Sequence, residues 1–205
     1  ILADALHREG KLLANTLVTT VMANGSLHQF AADHHFELIQ THVGDKYVTE
    51  ALLALTSEDT LADKLGLGGE QSGHIILLDE HHRTGDGLRT AIFMLKFLLQ
   101  QEQPSLAALA SQIQKYPQLV ASCNVAAKPD LKTLKPLQDM LDEIKHRLPG
   151  LVQLNSRYSG TEPKYRLMIE TDTRHTTHDL AEICWEVCDV VQRETDTPST
   201  AKIEV

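Results

Sequence analysis

Arg157 and Arg166 close the two ends of the segment RYSGTEPKYR. Each guanidinium is a planar fork of N–H donors that fits two oxygens of a phosphate or carboxylate at once. Between them Ser159 and Thr161 supply hydroxyl groups, and Gly160 lets backbone N–H groups approach an oxyanion closely. These residue types describe a phosphate nest. A hairpin turn with both arginines solvated on adjacent strands would use the same letters. In a chain of formal net charge −9, two arginines flanking one small loop favour the anion.

Three further stretches carry polar chemistry. In GGEQSGH (68–74) Glu70 is an acceptor suited to a pair of sugar hydroxyls, Ser72 is a neutral donor or acceptor, and His74 can titrate near neutrality. A flexible glycine loop with Glu70 in water fits that pattern equally well. In THVGDKYV (41–48) Lys46 is a point cation able to steer a phosphate. Asp45 stands where a helix N-cap belongs and could also accept a hydroxyl. DEHHRTGDG (79–87) gathers Asp79, Glu80, His81, His82 and Asp86, but adjacent histidines lack the i, i+4 face of a helical metal site. A solvated turn with Thr84 or Asp86 as a helix cap explains it better, and His34 and His35 read the same way.

The elements that must hold these loops follow from periodicity. ILADALHREGKLL is helix-like, NTLVTTVMA (15–23) a buried strand, GSLHQFAADHH a helix and FELIQTHV (36–43) a second strand. A helix opens at Gly44 and Asp45, LGLGGEQSG (65–73) reads as a glycine-rich loop, HIILL (74–78) as a strand and LRTAIFMLKFLLQQ (88–101) as a long helix; SLAALASQIQKY gives another. YPQ (116–118) marks a boundary. Beyond it LVASCNVAA, LKPLQDMLDEIKHRL, LVQLNSRY, YRLMIET and HDLAEICWEVCDVVQRE spell β, α, β, β, α, a small sheet with helices on one face. The expected architecture is α/β: a three-layer α/β domain over 1–118, then a smaller α+β domain over 119–205.

Composition, with 42% apolar and 23% charged residues, suits a globular protein. The acidic balance speaks against nucleic acid or an anionic membrane as partner. No apolar run approaches a membrane span, and the expected location is the cytoplasm. Three cysteines make no disulfide framework, and Cys184 and Cys188, one helical turn apart, read as buried core thiols. The opening at Ile1 suggests a piece of a longer protein.

Taken in order, VMAN, THVGDKYV, LGGEQSGHIIL, TGDGL and RYSGTEPKYRLMIE resemble the α-D-phosphohexomutase superfamily, and within it the bacterial phosphoglucosamine mutases, over nearly the whole chain. The resemblance implies domains three and four of a four-domain enzyme that interconverts hexosamine 6-phosphate and 1-phosphate. It places Glu70, Ser72 and His74 on a sugar-binding loop, with His74 as a possible acid/base. It places Arg157, Ser159, Gly160, Thr161 and Arg166 on a phosphate-binding loop, and Asp45 and Lys46 on a substrate-orienting loop. The implied partners are a phosphorylated hexose or hexosamine and domains one and two of the same protein. The family's phosphoserine loop and its Mg2+ ligands belong to those two domains, so no metal ligand and no catalytic residue is expected here. Two departures stand out: Thr49 to Gly66 is long enough to suggest a surface insertion, and Tyr158 replaces a common proline.

Overall fold

The computed structural model describes residues 1–57, 61–100, 105–198 and 202–204. The chain divides into two units, Ile1–Gln114 and Lys115–Val205.

The first unit carries helix α1 (Leu2–Arg8), strand β1 (Leu12–Thr20), α2 (Ser26–Asp33), β2 (Glu37–Thr41), α3 (Asp45–Leu55), β3 (Leu65–Gly69), β4 (Ile75–Leu78), α4 (Gly87–Leu99) and α5 (Leu106–Ala110). Its sheet has the order β2-β1-β3-β4, with β1 parallel to β2 and β3, and β4 antiparallel to β3. Successive strand residues face opposite ways, and both faces are apolar. Leu12 and Leu77 join Leu2, Leu6, Phe30 and Phe36 in one buried cluster, with Phe93 and Phe97 of α4 against it. Their chain neighbours Leu13, Ile76 and Leu78 join Val48 and Leu52 of α3 in another. Helices therefore cover both sheet faces, as the three-layer reading expects.

The structure differs from the expected elements at several points, and the helix expected over SLAALASQIQKY is confined to Leu106–Ala110. LGLGG is not loop but strand β3, because its glycines let α3 lie flush on the sheet. A Cβ at Gly68 would stand 2.4 Å from Val48 Cγ1 and 3.1 Å from Leu52 Cδ1. The long stretch after Thr49 is not wholly an insertion, since α3 continues to Leu55 and Leu52 is fully buried; residues 58–60 of that stretch lie outside the described residues. The opening helix ends at Arg8, and Leu12 and Leu13 belong to β1. Gln101, expected in the long helix, also lies outside the described residues, and that helix ends at Leu99. Asp86 caps this helix, its carboxylate accepting from the Arg89 N–H at 2.9 Å.

On α4, Leu88 is 74% exposed, Ile92 58%, Leu95 60% and Leu99 82%. Their spacing puts them on one stripe of the helix, while Phe93, Met94 and Phe97 pack on the sheet.

The second unit contains β5 (Gln118–Asn124), α6 (Lys135–Arg147), β6 (Leu151–Tyr158), β7 (Lys164–Thr171), α7 (Thr177–Glu194) and β8 (Lys202–Glu204). Its antiparallel sheet runs β6-β7-β5-β8. The inward residues Leu119, Ala121, Tyr165, Leu167 and Ile169 meet Leu137 and Ile144 of α6 and Leu180, Cys184, Val187, Cys188 and Val191 of α7 in one core. Both cysteines are fully buried among these side chains. A capping box starts α7: the Thr176 hydroxyl accepts from Asp179 N–H, and the Asp179 carboxylate accepts from Thr176 N–H. Strand β8, which the β, α, β, β, α order lacks, adds an edge beside β5.

Candidate functional site

Strands β6 and β7 meet in register so that Arg157 stands opposite Arg166. The two side chains therefore share a sheet face, opposite the one that Tyr165 and Leu167 turn to the core. Like charges directly across a ladder repel, and a structure keeps them only when something else compensates. Arg166 has a compensator: Glu162 Oε2 accepts from its guanidinium at 2.6 Å, while Lys164 Nζ stands 3.1 Å from the other Glu162 oxygen. These two cations, Lys164 first, hold the Glu162 carboxyl below its ordinary range. Arg157 has none. It is half-buried, and among the described residues no carboxylate or carbonyl takes its guanidinium; burial first, and then the Arg166 charge, lower its pKa.

The turn between the strands exposes donors in the same way. Ser159 is buried, its N–H donating to the Lys164 carbonyl at 2.8 Å and its hydroxyl oxygen accepting from Glu162 N–H at 3.3 Å. The backbone N–H groups of Gly160 and Thr161, and the Thr161 hydroxyl, have no protein acceptor among the described residues, and both residues are exposed. Two amides, one hydroxyl and an unpaired guanidinium are thus assembled on one hairpin. An oxyanion answers all of them. Sequence reasoning found these residues by type. It missed Glu162, which occupies Arg166, and Lys128, whose Nζ donates to the Ser159 carbonyl at 2.6 Å; Glu162 is visible inside the motif as the one acid between the arginines.

In the first unit, the turn after β2 and the turn between β3 and β4 are tied by one carboxylate. Glu70, whose side chain is 9% exposed, accepts the Gly44 N–H through Oε1 at 2.8 Å, and its Oε2 lies 3.5 Å from His74 Nδ1. Ser72 Oγ is 3.1 Å from the same nitrogen. Glu70, Ser72 and His74 therefore form one cluster, with Glu70 turned to backbone rather than to water. Gly44 has φ +134°, a region only glycine adopts readily, which aims its N–H at Glu70. Gly44, not Asp45, is the N-cap of α3; Asp45 is the first helical residue, and its carboxylate accepts from Lys46 N–H at 2.8 Å. The expectation of an Asp45 N-cap fails by one position because the left-handed turn puts glycine at the cap. Lys46 is exposed, 3.7 Å from Glu50 and 5.9 Å from the Tyr47 ring centre.

The histidine-rich turn has a structural job. Asp79 accepts the His81 and His82 N–H groups, each at 2.8 Å, and pairs with Arg89. Among the described residues no group of three or more His, Cys, Asp or Glu is placed to hold a metal. No described helix is long and apolar enough to cross a membrane.

Residues 1–116 match the profile of a family described as "Phosphoglucomutase/phosphomannomutase, alpha/beta/alpha domain III". The chain is 34% identical over 194 residues to a phosphoglucosamine mutase of Lacticaseibacillus casei (strain BL23), covering 95% of this chain and 40% of that protein. It is 38% identical over 180 residues to the phosphoglucosamine mutase of Nautilia profundicola, covering 87% of this chain and 38% of the relative. A crystal structure of a phosphoglucomutase/phosphomannomutase family protein from Burkholderia thailandensis superposes with a TM-score of 0.59 at 17% identity, over 98% of this chain and 41% of that one; the likeness is one of fold. The chain thus spans about 40% of the length of the curated relatives it matches.

Proposed function

The chain belongs to the phosphoglucomutase/phosphomannomutase family, and from that premise we propose that it is the substrate-holding, C-terminal portion of a cytoplasmic phosphoglucosamine mutase. On this reading the whole protein interconverts glucosamine 6-phosphate and glucosamine 1-phosphate. The phosphoserine that exchanges the phosphoryl group, and the Mg2+ that neutralises charge on it, belong to domains one and two, outside this chain. Two chemical tasks fall to the residues present. The hairpin holds the sugar's non-reacting phosphate: Arg157 and Arg166 supply charge, and Gly160 N–H, Thr161 N–H and the Thr161 and Ser159 hydroxyls supply directed hydrogen bonds. The Gly44–His74 cluster receives the sugar, with Glu70 as hydroxyl acceptor, Ser72 and His74 as hydrogen-bonding partners, and Lys46 steering the anion.

Phosphoryl transfer depends mostly on positioning and charge, and this portion would supply positioning. The observation that carries the reading is Arg157, a half-buried guanidinium with no acidic partner among the described residues, set against a second arginine and two amides that the described residues leave unused. A half-buried guanidinium without a counter-charge is electrostatically incomplete until an anion enters.

The test is calorimetric titration of the chain with glucosamine 6-phosphate, with glucose and mannose 6-phosphates as competitors. Arg157→Met should weaken binding about 10- to 100-fold, the value of one or two charged hydrogen bonds at about 1.5 kcal/mol or more each. Equal affinity in that variant would sink the phosphate clamp. Preference for glucose or mannose phosphate would move the chain to a phosphoglucomutase or phosphomannomutase.

A further inference from the structure

We propose that Lys128 is a third cation of the phosphate site, acting through the Ser159–Gly160 peptide; the proposal rests on the reading of the hairpin given above. Lys128 Nζ donates to the Ser159 carbonyl at 2.6 Å, and the described residues offer its ammonium no carboxylate. The nearest acid in sequence, Asp130, caps the following turn by accepting from Lys132 N–H at 3.0 Å.

A trans peptide points its C=O and its N–H in opposite directions, and the chain contains no cis bond among the described residues. Fixing the Ser159 carbonyl from behind therefore fixes the direction of the Gly160 N–H in front. That N–H is one of the two hairpin amides without an acceptor among the described residues. A cation on the carbonyl also polarises the whole amide, so its N–H becomes a stronger donor, as in any hydrogen-bonded chain. Ser159 is held at three points, its N–H by Lys164, its hydroxyl by Glu162 N–H and its carbonyl by Lys128. Only the Lys128 contact brings charge.

Lys128 lies outside the core. It lines an open cavity of about 560 Å³ with Leu131, Lys132, Ser156 and Tyr158, against the edge strand β6. Exchange for a neutral side chain of similar length leaves the buried clusters untouched, so the fold should survive.

The experiment titrates inorganic phosphate and glucosamine 6-phosphate into the chain and its Lys128→Met, Lys128→Arg and Arg157→Met variants, by calorimetry and by amide NMR at Gly160. Lys128→Met should weaken both ligands about 5- to 10-fold and move the free Gly160 amide proton upfield, with β6 and β7 resonances otherwise unchanged. Lys128→Arg should restore most of both. Full affinity in Lys128→Met together with loss in Arg157→Met overturns the role of Lys128 and leaves the hairpin reading standing. No loss in either variant, or no phosphate binding by the unaltered chain, overturns both. Loss in Lys128→Met that Lys128→Arg does not restore, or that arrives without the Gly160 shift, makes the lysine a packing residue and also overturns the proposal.

Discussion

At the scale of single residues, the phosphate hairpin is defined by what its side chains lack. Among the described residues Arg157 lacks a partner, while Arg166 has Glu162, 2.6 Å away. Glu162 is therefore an internal competitor for the anion, and Glu162→Gln should tighten phosphate binding about 2- to 5-fold, the worth of a partly exposed ion pair. Weaker binding, measured by the same titration, would show the carboxylate to be a strut instead. Asp79 shows the opposite case, a carboxylate wholly used. Burial would raise its pKa, but the N–H groups of His81 and His82 and the charge of Arg89 outweigh that and lower it to about 2. A carboxyl depressed in the folded state stabilises the fold above its unfolded pKa. Its contribution, up to about 2 kcal/mol, should be present above about pH 4 and vanish as pH falls toward 2. Urea melts of the chain and of Asp79→Asn should differ at pH 6 and converge near pH 2. The residue types of the hairpin were readable in the sequence because Arg, Ser, Gly and Thr announce their donors. Lys128 was not: it sits 31 positions before Ser159, and only the antiparallel pairing of β5 with β7 brings it there.

At the scale of elements, the same limit appears in β3. Glycine in a strand ordinarily signals a loop or bulge, and LGLGG has alternate glycines with no side chain to betray a buried face. The cause lies in α3, whose Val48 and Leu52 fill the space a Cβ would need. Gly68→Ala should cost about 1–3 kcal/mol through overpacking, and Val48→Ala in the same chain should recover part of that. A double-mutant cycle in urea checks it, and additive costs would refute the contact. Helices were easier to read. α7 shows its buried face at Leu180, Cys184, Val187, Cys188 and Val191, whereas its capping box at Thr176 and Asp179 went unread, the helix being expected only from His178. Thr176→Ala should cost about 1 kcal/mol by loss of the cap. Strand β8 escaped notice because three residues carry too little pattern to stand out.

At the scale of the whole molecule, each unit owns its core: two clusters on either side of one sheet in Ile1–Gln114, and one beneath the sheet of Lys115–Val205. Residues 115–205 expressed alone should therefore melt cooperatively, and Leu52→Ala should lower the stability of the first unit by about 2–5 kcal/mol without shifting the melt of the second. A broad, noncooperative melt of the isolated segment would contradict this. Leu88, Ile92, Leu95 and Leu99 show what such self-sufficiency leaves over. Four bare aliphatic side chains along a single helix make water a poor solvent for this chain, so it should bind phenyl resin tightly and cloud at high concentration. Leu95→Lys with Leu99→Glu should make it more soluble while leaving its melting temperature almost unchanged.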